Sequence, residues 1–594
     1  MSETPAFLGV DQSAGGNRWE MSAADERAGL AIAQRHSLPE MIGRLLAARG
    51  VGIDEVELFL NPSLRDQLPD PRHLRDMDEA TARLMGAIRD GETIGIFGDY
   101  DVDGATSTAL LKRFFQAVGG TVETYIPDRQ REGYGPNLPA LMALRDKGAR
   151  VVCTVDCGIT AFEPLDGAAA AGIDVIVVDH HVAEPRLPAA CAVVNPNRLD
   201  DDSPHGQLAA VGVAFLLVVA VNRALRESGW YETRPEPDLR AWLDLVALGT
   251  VCDVVPLTGV NRALVTQGLK VMTQRSNKGI VALADVARIK ETPEAYHAGF
   301  LLGPRVNAGG RVGESWLGAD LLSTEDAAQA HAYAERLDSY NTERRAIEAT
   351  CLEAAMAEVE ARIASGADDA SLVYVSAEDW HPGVIGIVAG RLKDRFNRPA
   401  CVVAMADGVG KGSGRSVRGV DLGAAIIAAR QSGLLINGGG HKMAAGFTVA
   451  ADQEAAFRDF LSARIAEQSG PGGLTPRMML DGALMPAAAT LDLVHTIERL
   501  APFGAGNPRP RFALPAARVA RADVVGENHV RCFLTGEGGG HLKAIAFRVL
   551  GEPLGDALLK SGGLPLHIAG TLRIDRWQGR EDVQFMIDDA APIA

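Results

Sequence analysis

Cysteine is scarce and unpaired in this chain. Its seven residues are odd in number and scattered, and none falls in a C-x-x-C pair. Cys153 and Cys157 flank the end of one apolar run but lack the second pair that a zinc site requires. A disulfide scaffold and a zinc ribbon are thereby excluded, and the thiols are expected to be reduced and mostly buried. Long apolar runs are also missing. The longest, residues 208–221, is shorter than the roughly 20 residues of a membrane span, and its Ala/Val content suits a buried helix. The first ten residues show no positive region followed by an apolar core, so no secretory signal is read and a cytoplasmic location is expected. There is no excess of basic charge. The 76 acidic residues against 59 basic give a net charge of −17, which argues against coating a polyanion wholesale but leaves room for a local basic channel. No repeat or low-complexity array interrupts the 594 residues, which are 47% hydrophobic and 23% charged. Such a chain is globular and too long for one core.

What the chain does contain is the stretch Ile94-Gly95-Ile96-Phe97-Gly98-Asp99-Tyr100-Asp101-Val102-Asp103-Gly104-Ala105-Thr106. It is echoed by Val155-Asp156 and by Val178-Asp179-His180-His181. In each case a short apolar run that reads as a buried strand stops at carboxylates or imidazoles. Across residues 92–195, strand candidates (94–97, 122–126, 151–155, 175–178) alternate with helical patterns (105–117, 139–147, 162–171). This alternation predicts a mostly parallel sheet wrapped by helices, and in such sheets ligands bind at the strand ends.

The remainder divides by pattern. Residues 1–76 read as a helical preamble packed on that sheet, and residues 77–322 as the α/β domain that carries the strand ends. A helix without Gly or Pro follows, assigned to residues 323–365 with Ser323 as its N-cap. At 1.5 Å per residue it spans roughly 60 Å, enough to join two lobes. A second α/β domain is expected over 366–466, with strands at 372–375 and 400–404. Ser469-Gly470-Pro471-Gly472-Gly473 is the clearest linker. Short strand-like runs at 530–534, 542–547, 566–574 and 583–587 then predict a small antiparallel barrel within residues 474–594.

Asp101, Asp103, Asp156, Asp179, His180, His181 and Asp253 offer carboxylate oxygens and imidazole nitrogens suited to Mg²⁺ or Mn²⁺. A set of this size is enough for two ions that hold the attacking and leaving oxygens of a phosphoryl transfer. Taken singly, an Asp after a strand is more often a turn former; the set as a whole reverses that judgement. Because adjacent side chains of an extended backbone point apart, one of His180 and His181 is expected to meet metal while the other meets phosphate or orients a ligand. Two further runs, residues 303–311 with Arg305 and Arg311, and residues 410–416 with Ser413, Arg415 and Ser416, pair glycine with guanidinium. They suit phosphate as well as they suit an exposed turn. Seven basic residues between Arg391 and Arg418 face only two carboxylates, which favours an anionic ligand on the second lobe. Gly438-Gly439-Gly440-His441 reads as a phosphate-facing turn. Trp577 and Phe585 are candidates to stack bases, although aromatic residues of small barrels are more often core.

On these residues the chain resembles the DHH phosphoesterase superfamily and, within it, the bacterial exonucleases specific for single strands. The matching pieces are Gly98–Gly104, Asp156, Asp179-His180-His181, Asp253, residues 303–311, Ser413–Ser416 and Gly438–His441, together with residues 502–508 and 577–580. The resemblance runs from about residue 60 to the end. It implies a catalytic DHH domain, a long connecting helix, a DHHA1 domain and a C-terminal OB-fold, acting on single-stranded DNA from the 5′ end with Mn²⁺ or Mg²⁺. By the same analogy Asp101, Asp103, Asp156, His180 and Asp253 hold metal, with Asp179 a further candidate ligand that supports the set beside His181. Arg305, Ser413 and Arg415 grip the 5′-phosphate region, joined by Arg129 and, from the same motifs, Arg311, Ser416 and His441. Single-strand-binding protein and a helicase are implied as partners. Many smaller members place His where this chain has Phe97, which leaves one coordination position to water or to Asp99. A phosphoesterase of short oligonucleotides is disfavoured by the terminal barrel, and a non-catalytic scaffold by the full ligand set.

Overall fold

Four strands expected from the apolar runs, and a short fifth, make one parallel sheet: β1 (Thr93–Gly98), β2 (Thr121–Tyr125), β3 (Ala149–Val155), β4 (Asp174–Val178) and β5 (Ala192–Val194), in the order β2-β1-β3-β4-β5. The structure, a computed structural model, describes residues 5–470, 474–537, 539–577 and 579–593. Part of the expected linker (471–473) and the ring of Trp577 lie outside the described residues. Strands β1, β3 and β4 are almost wholly buried because helices cover both faces, as a parallel sheet demands, while the edge strand β2 is partly exposed. Helix α1 (Val102–Ala117) follows β1, and α2 (Ala210–Glu227) and α3 (Leu243–Cys252) pack against it. The run at 208–221 is thus the start of a buried helix, and no described helix is long and apolar enough to cross a membrane.

The register of the sheet decides where the site forms. Gly98 pairs with Val155, Val155 with Val178, and Val178 with Val194. The next residue on each of the first three strands continues the ladder: the amides of Asp99, Asp156 and Asp179 donate to the carbonyls of Val155, Val178 and Val194 at 3.2, 3.1 and 3.1 Å. Three carboxylates therefore stand side by side on adjacent strand ends.

Helix α4 (Gly303–Val312) leads by way of the short helix Leu317–Ser323 to the 39-residue helix α5 (Ala327–Ser365). The N-cap of α5 is Asp326, not Ser323, because the Asp326 carboxylate accepts from the amides of Ala328 and Gln329. Ser323 ends the preceding helix, with its hydroxyl donating to Asp320 O. Helix α5 packs Cys351, Ala355 and Val359 into the core of a second sheet. That sheet is mixed: β6 (Val373–Ala377), β7 (Ala400–Ala406), β8 (Val409–Arg415), β9 (Asn437–His441) and β10 (Ala444–Ala450), in the order β9-β10-β8-β7-β6. Helix α6 (Ile385–Phe396) lies on β7 and β8.

Pro69–Asp253 and Gln267–Leu474, which hold both sheets, form one unit; Met1–Leu68, Val254–Thr266 and Thr475–Ala594 form the other. In this second unit β11 (Arg511–Val525), β12 (His529–Thr535), β13 (His541–Ala546), β14 (Pro565–Trp577) and β15 (Arg580–Pro592) close on themselves through β11–β14 pairing. All neighbours are antiparallel except β13 and β15. The N-terminal helices Glu26–Arg35 and Glu40–Ala48 share one core with this barrel, Ile32, Ile42, Leu45 and Leu46 clustering with Phe512, Leu534 and Phe585. The expectation that the N-terminal segment packs on the first sheet is thus corrected. Asp589, fully buried, completes the attachment by accepting from the Ser13 hydroxyl (2.5 Å), Asn17 Nδ2 (2.9 Å) and Trp19 Nε1 (3.1 Å).

Candidate metal centre and phosphate cavity

The carboxylates at the sheet edge are placed by backbone amides, which accounts for the local sequence. Asp101 is the N-cap of α1, with its side chain accepting from the amides of Asp103 (2.9 Å) and Gly104 (3.1 Å). Gly104 is required because a Cβ there would collide with the Asp99 carbonyl oxygen. Asp103, fully buried, spans the start of α2 and accepts from Ala210 N (2.7 Å) and Val211 N (2.9 Å). Asp156 sits at φ +60°, a strained conformation for a residue with a Cβ and one that recurs at functional sites. Asp253 caps the C-terminal end of α3, where the helix dipole disfavours a negative charge.

Three groups of potential ligand atoms result, the members of each within 4.8 Å of one another: Asp156 with His180 and His181, Asp103 with His180 and Asp253, and Asp99 with Asp101 and Asp156. His180 joins two of them, its Nε2 lying 3.3 Å from Asp156, 3.7 Å from Asp253 and 4.0 Å from Asp103. Asp99, one of the two alternatives that Phe97 left open, stands beside Asp101 and Asp156. Phe97 is buried one pleat below and stacks on Tyr125 at 5.6 Å.

The expectation that His180 and His181 diverge is corrected. The strand ends at Val178, so the extended alternation no longer applies, and the two rings lie 4.6 Å apart on the same side. Asp179, a candidate ligand, is absent from all three groups, and its oxygens are already engaged. Oδ1 accepts from the amides of His180 and His181 and from His181 Nδ1 (2.7 Å), and Oδ2 accepts from Ile159 N (3.1 Å). Its contribution is to hold the His181 ring, the usual carboxylate support of a metal-site histidine.

The electrostatics follow from crowding. Burial, reinforced by neighbouring carboxylates, pushes Asp99, Asp103 and Asp156 well above the ordinary carboxylate range and Asp253 up to about 7. Burial and the adjacent imidazole pull His180 down to about 4, leaving it neutral and able to coordinate. Burial also opposes charge on His181, but the Asp179 hydrogen bond prevails and raises it to about 9. Among the described residues, Asp99 Oδ1, His180 Nε2 and Asp253 Oδ2 are buried with no hydrogen-bond partner. Unpaired acceptors among repelling carboxylates are costly unless a cation satisfies them. The donor set fits a hard divalent ion, with imidazole as its borderline member.

A second feature lies beside the first. A cavity of about 290 Å³ is walled by Arg129, Arg311, Lys411, Ser413, Arg415 and Thr448. Burial and the proximity of other arginines lower Arg311 to about 10 and also lower Arg415, as expected of crowded cations without an anion. Arg311 Nη1 donates to Gly383 O (3.0 Å), Gln130 Nε2 donates to Arg311 O (3.2 Å), and the Arg129 guanidinium lies 5.1 Å over the ring of Tyr100. Tyr100 stands between Asp99 and Asp101, so cavity and carboxylates are neighbours.

Three other candidates lie elsewhere. Arg305 is committed to Asp338 on α5 (2.8 Å) and to Leu301 O (2.7 Å), Ser416 is buried with its hydroxyl on Val420 O (2.9 Å), and His441 is exposed at the end of β9. The glycine-rich runs are not loops. Residues 303–312 are helical, residues 409–415 and 437–441 are strands, and Gly412 is glycine because the Phe447 ring lies against it. Phe585 is core rather than a stacking platform. Sequence reading missed Tyr134, whose hydroxyl donates to Asp156 O (3.1 Å) and lies 3.4 Å from His181 Nδ1. The only signal was an aromatic residue between Gly133 and Gly135, both at positive φ.

Fold and site together define a DHH-type protein. The chain matches the DHH family N-terminal domain over residues 93–250, the DHHA1 domain over 369–467 and the RecJ OB domain over 480–589. It is 38% identical over 570 residues to the single-stranded-DNA-specific exonuclease RecJ of Dickeya dadantii, covering 94% of this chain and 97% of that one. It is 36% identical over 566 residues to the protein of the same name from Escherichia coli, covering 94% and 96%. The crystal structure of RecJ in complex with Mn²⁺ from Thermus thermophilus superposes with a TM-score of 0.79 at 30% identity, covering 98% of this chain and 80% of that one; for the Mg²⁺ complex the TM-score is 0.76. The chain belongs to the RecJ family.

Proposed function

We propose that this protein is a metal-dependent exonuclease specific for single-stranded DNA, removing 5′-mononucleotides in the 5′ to 3′ direction and acting in DNA recombination and repair. The observation that carries the reading is the adjacency just described: a cationic cavity with room for a phosphate group stands next to a carboxylate–imidazole cluster, bridged by Tyr100 and Arg129. A pocket that holds a terminal phosphate beside a hydrolytic centre measures cleavage from an end, which is what separates an exonuclease from an endonuclease.

Asp99, Asp101, Asp103, Asp156, His180 and Asp253 would hold Mn²⁺ or Mg²⁺, as two ions. When bound, such ions polarise a phosphoryl oxygen and make water acidic enough to serve as nucleophile. The side chains do the rest. Arg129, Arg311 and Arg415 bind the terminal phosphate with planar forks matched to its oxygens. Ser413 adds a hydroxyl, and Asp179 keeps His181 protonated with its second N–H available to a phosphate oxygen. Tyr134 fixes the backbone of Asp156. The terminal barrel is of a type that binds single strands. Single-strand-binding protein and a helicase, as partners in the cytoplasm, complete the proposal.

The test is digestion of 5′-labelled and 3′-labelled single strands beside the matching duplex, with Mn²⁺, with chelator, and with Asp156→Ala. The expected result is early release of the 5′ label as mononucleotide, abolished by chelator or the substitution and absent on duplex. Release from the 3′ end overturns the polarity, and no metal-dependent cleavage of any strand overturns the reading.

A further inference from the structure

The most exposed aromatic side chain among the described residues is Phe300, at 70%, and four residues before it Tyr296 is 48% exposed. The two rings stack on each other, with centroids 5.2 Å apart and planes inclined by 27°. Neither belongs to a core, and an isolated apolar pair is unremarkable on most surfaces. This pair differs in what holds it.

Its backbone is a π-helical turn, Ala298–Leu302, between the short helix Ala295–His297 and α4. Such turns cost hydrogen-bond geometry and recur at functional sites. The N-terminal side is locked by reciprocal capping, with Glu294 N donating to His297 Nδ1 at 3.0 Å. The buried side rests on the end of α3: Cys252 Sγ donates to Ala298 O at 3.4 Å, and a Cβ on Gly303 would lie 2.5 Å from that sulfur. Cys252 directly precedes Asp253, so the turn that carries the aromatic pair rests on the neighbour in sequence of a carboxylate of the metal cluster. From Phe300 the same helical run continues to Arg311 in the phosphate cavity, about 16 Å further at 1.5 Å per residue. A cavity of about 230 Å³ in the same segment is lined by Thr273, Arg275, Lys290, Glu291 and His297; Arg275 is paired with Asp285, while Lys290 makes no ion pair among the described residues and supplies a cation. A rigid aromatic face, continuous with a phosphate-binding and hydrolytic site and accompanied by cations, has the chemistry that single-stranded nucleic acid recognises: rings for base faces and cations for the backbone.

We propose that Tyr296 and Phe300 form a ledge on which bases of the single strand stack next to the metal cluster, so that the enzyme senses bases as well as phosphates. The inference rests on the nuclease reading above. It assigns these residues a positioning role, since they hold the strand and touch no reacting atom.

The test compares Tyr296→Ala/Phe300→Ala with wild type in fluorescence anisotropy, in chelator so that nothing is cleaved. The probes are one 5′-phosphorylated oligothymidine and the same strand with abasic residues. Stacking worth about 1–3 kcal/mol per base corresponds to roughly 5- to 160-fold in affinity. Wild type is expected to prefer the base-bearing strand by that factor, the double variant to bind both strands alike, and Phe300→Trp to restore the preference. In Mn²⁺ the double variant is expected to raise KM while leaving kcat within about twofold. A double variant that keeps the wild-type preference and KM overturns the ledge while leaving the nuclease reading intact. A wild-type protein that neither binds nor cleaves the strand overturns the nuclease reading and the ledge together.

Discussion

Replacing Asp253 with asparagine separates a metal-site carboxylate from a structural one, because the two roles predict opposite signs. Asp253 Oδ2 is buried without a hydrogen-bond partner, at the negative end of α3 and among other carboxylates. Burial and Asp101 raise its pKa from the ordinary 3.8 to about 7. At 1.36 kcal/mol for each pH unit, its charge costs the metal-free fold up to about 4 kcal/mol. The sign with pH follows. Below about pH 4 the group is protonated in both the folded and unfolded chain and costs nothing. Between about 4 and 7 the unfolded chain ionises first and stability falls, and above about 7 the full cost is present. Asp253→Asn removes the charge at nearly constant volume. In chelator at pH 8 the variant is therefore expected to melt higher than wild type, and at pH 4.5 the difference should shrink to about 1 kcal/mol. Mn²⁺ narrows the gap. At a hundred times its Kd, one site adds about 2.7 kcal/mol to wild type, and the variant should gain little of it. Thermal melting at two pH values, with chelator and with a Mn²⁺ series, reads all four quantities. A variant less stable than wild type in chelator at pH 8, or equal stabilisation of both by Mn²⁺, refutes the reasoning.

Further outcomes are expected elsewhere in the site. Arg415→Ala should weaken binding of a 5′-phosphorylated strand by about 10- to 100-fold, the worth of a charge-assisted hydrogen bond, while barely affecting a 5′-hydroxyl strand. Competition anisotropy with the two strands checks this. Arg305→Ala, which breaks the pair with Asp338, should lower the melting temperature without changing that discrimination; a lost phosphate preference would return Arg305 to the cavity. Gly104→Ala forces a methyl against the Asp99 carbonyl. It should cost about 1–3 kcal/mol of stability and abolish metal-dependent cleavage, measured by melting and digestion of the same sample.

The strand ends were legible because each apolar run stops at a carboxylate, and parallel pairing in register then suffices to align Asp99, Asp156 and Asp179. Asp253 was legible as a carboxylate in an apolar segment, and Asp103 as part of the Asp-x-Asp-Gly that ends the first strand. The convergence of His180 and His181 was not, since it depends on the strand ending at Val178 rather than two residues later. Arg305 and Arg311 share one run of sequence, but which faces α5 and which faces the cavity is decided by the rotation of α4, a tertiary matter. The glycines of β8 could not be assigned a single reason from sequence, because phosphate approach and the packing of Phe447 on Gly412 demand the same missing Cβ. Gln130 and Thr448 reach the cavity from separate elements, and no local pattern marks them.

The attachment of the first residues to the last has a consequence for biosynthesis. Trp19, Ile42, Leu45 and Leu46 find their partners in Phe512, Phe585 and Asp589, so the opening segment emerges from the ribosome with apolar surface that nothing yet synthesised can cover. Residues 69–474 must be translated before the barrel begins, a wait of roughly 20–80 s at ~5–20 residues per second. During that time most of the catalytic unit is already available to fold around its own sheets. The N-terminal segment is then an orphan that requires chaperone shelter, and late truncation of the chain would strand its beginning as well as its end.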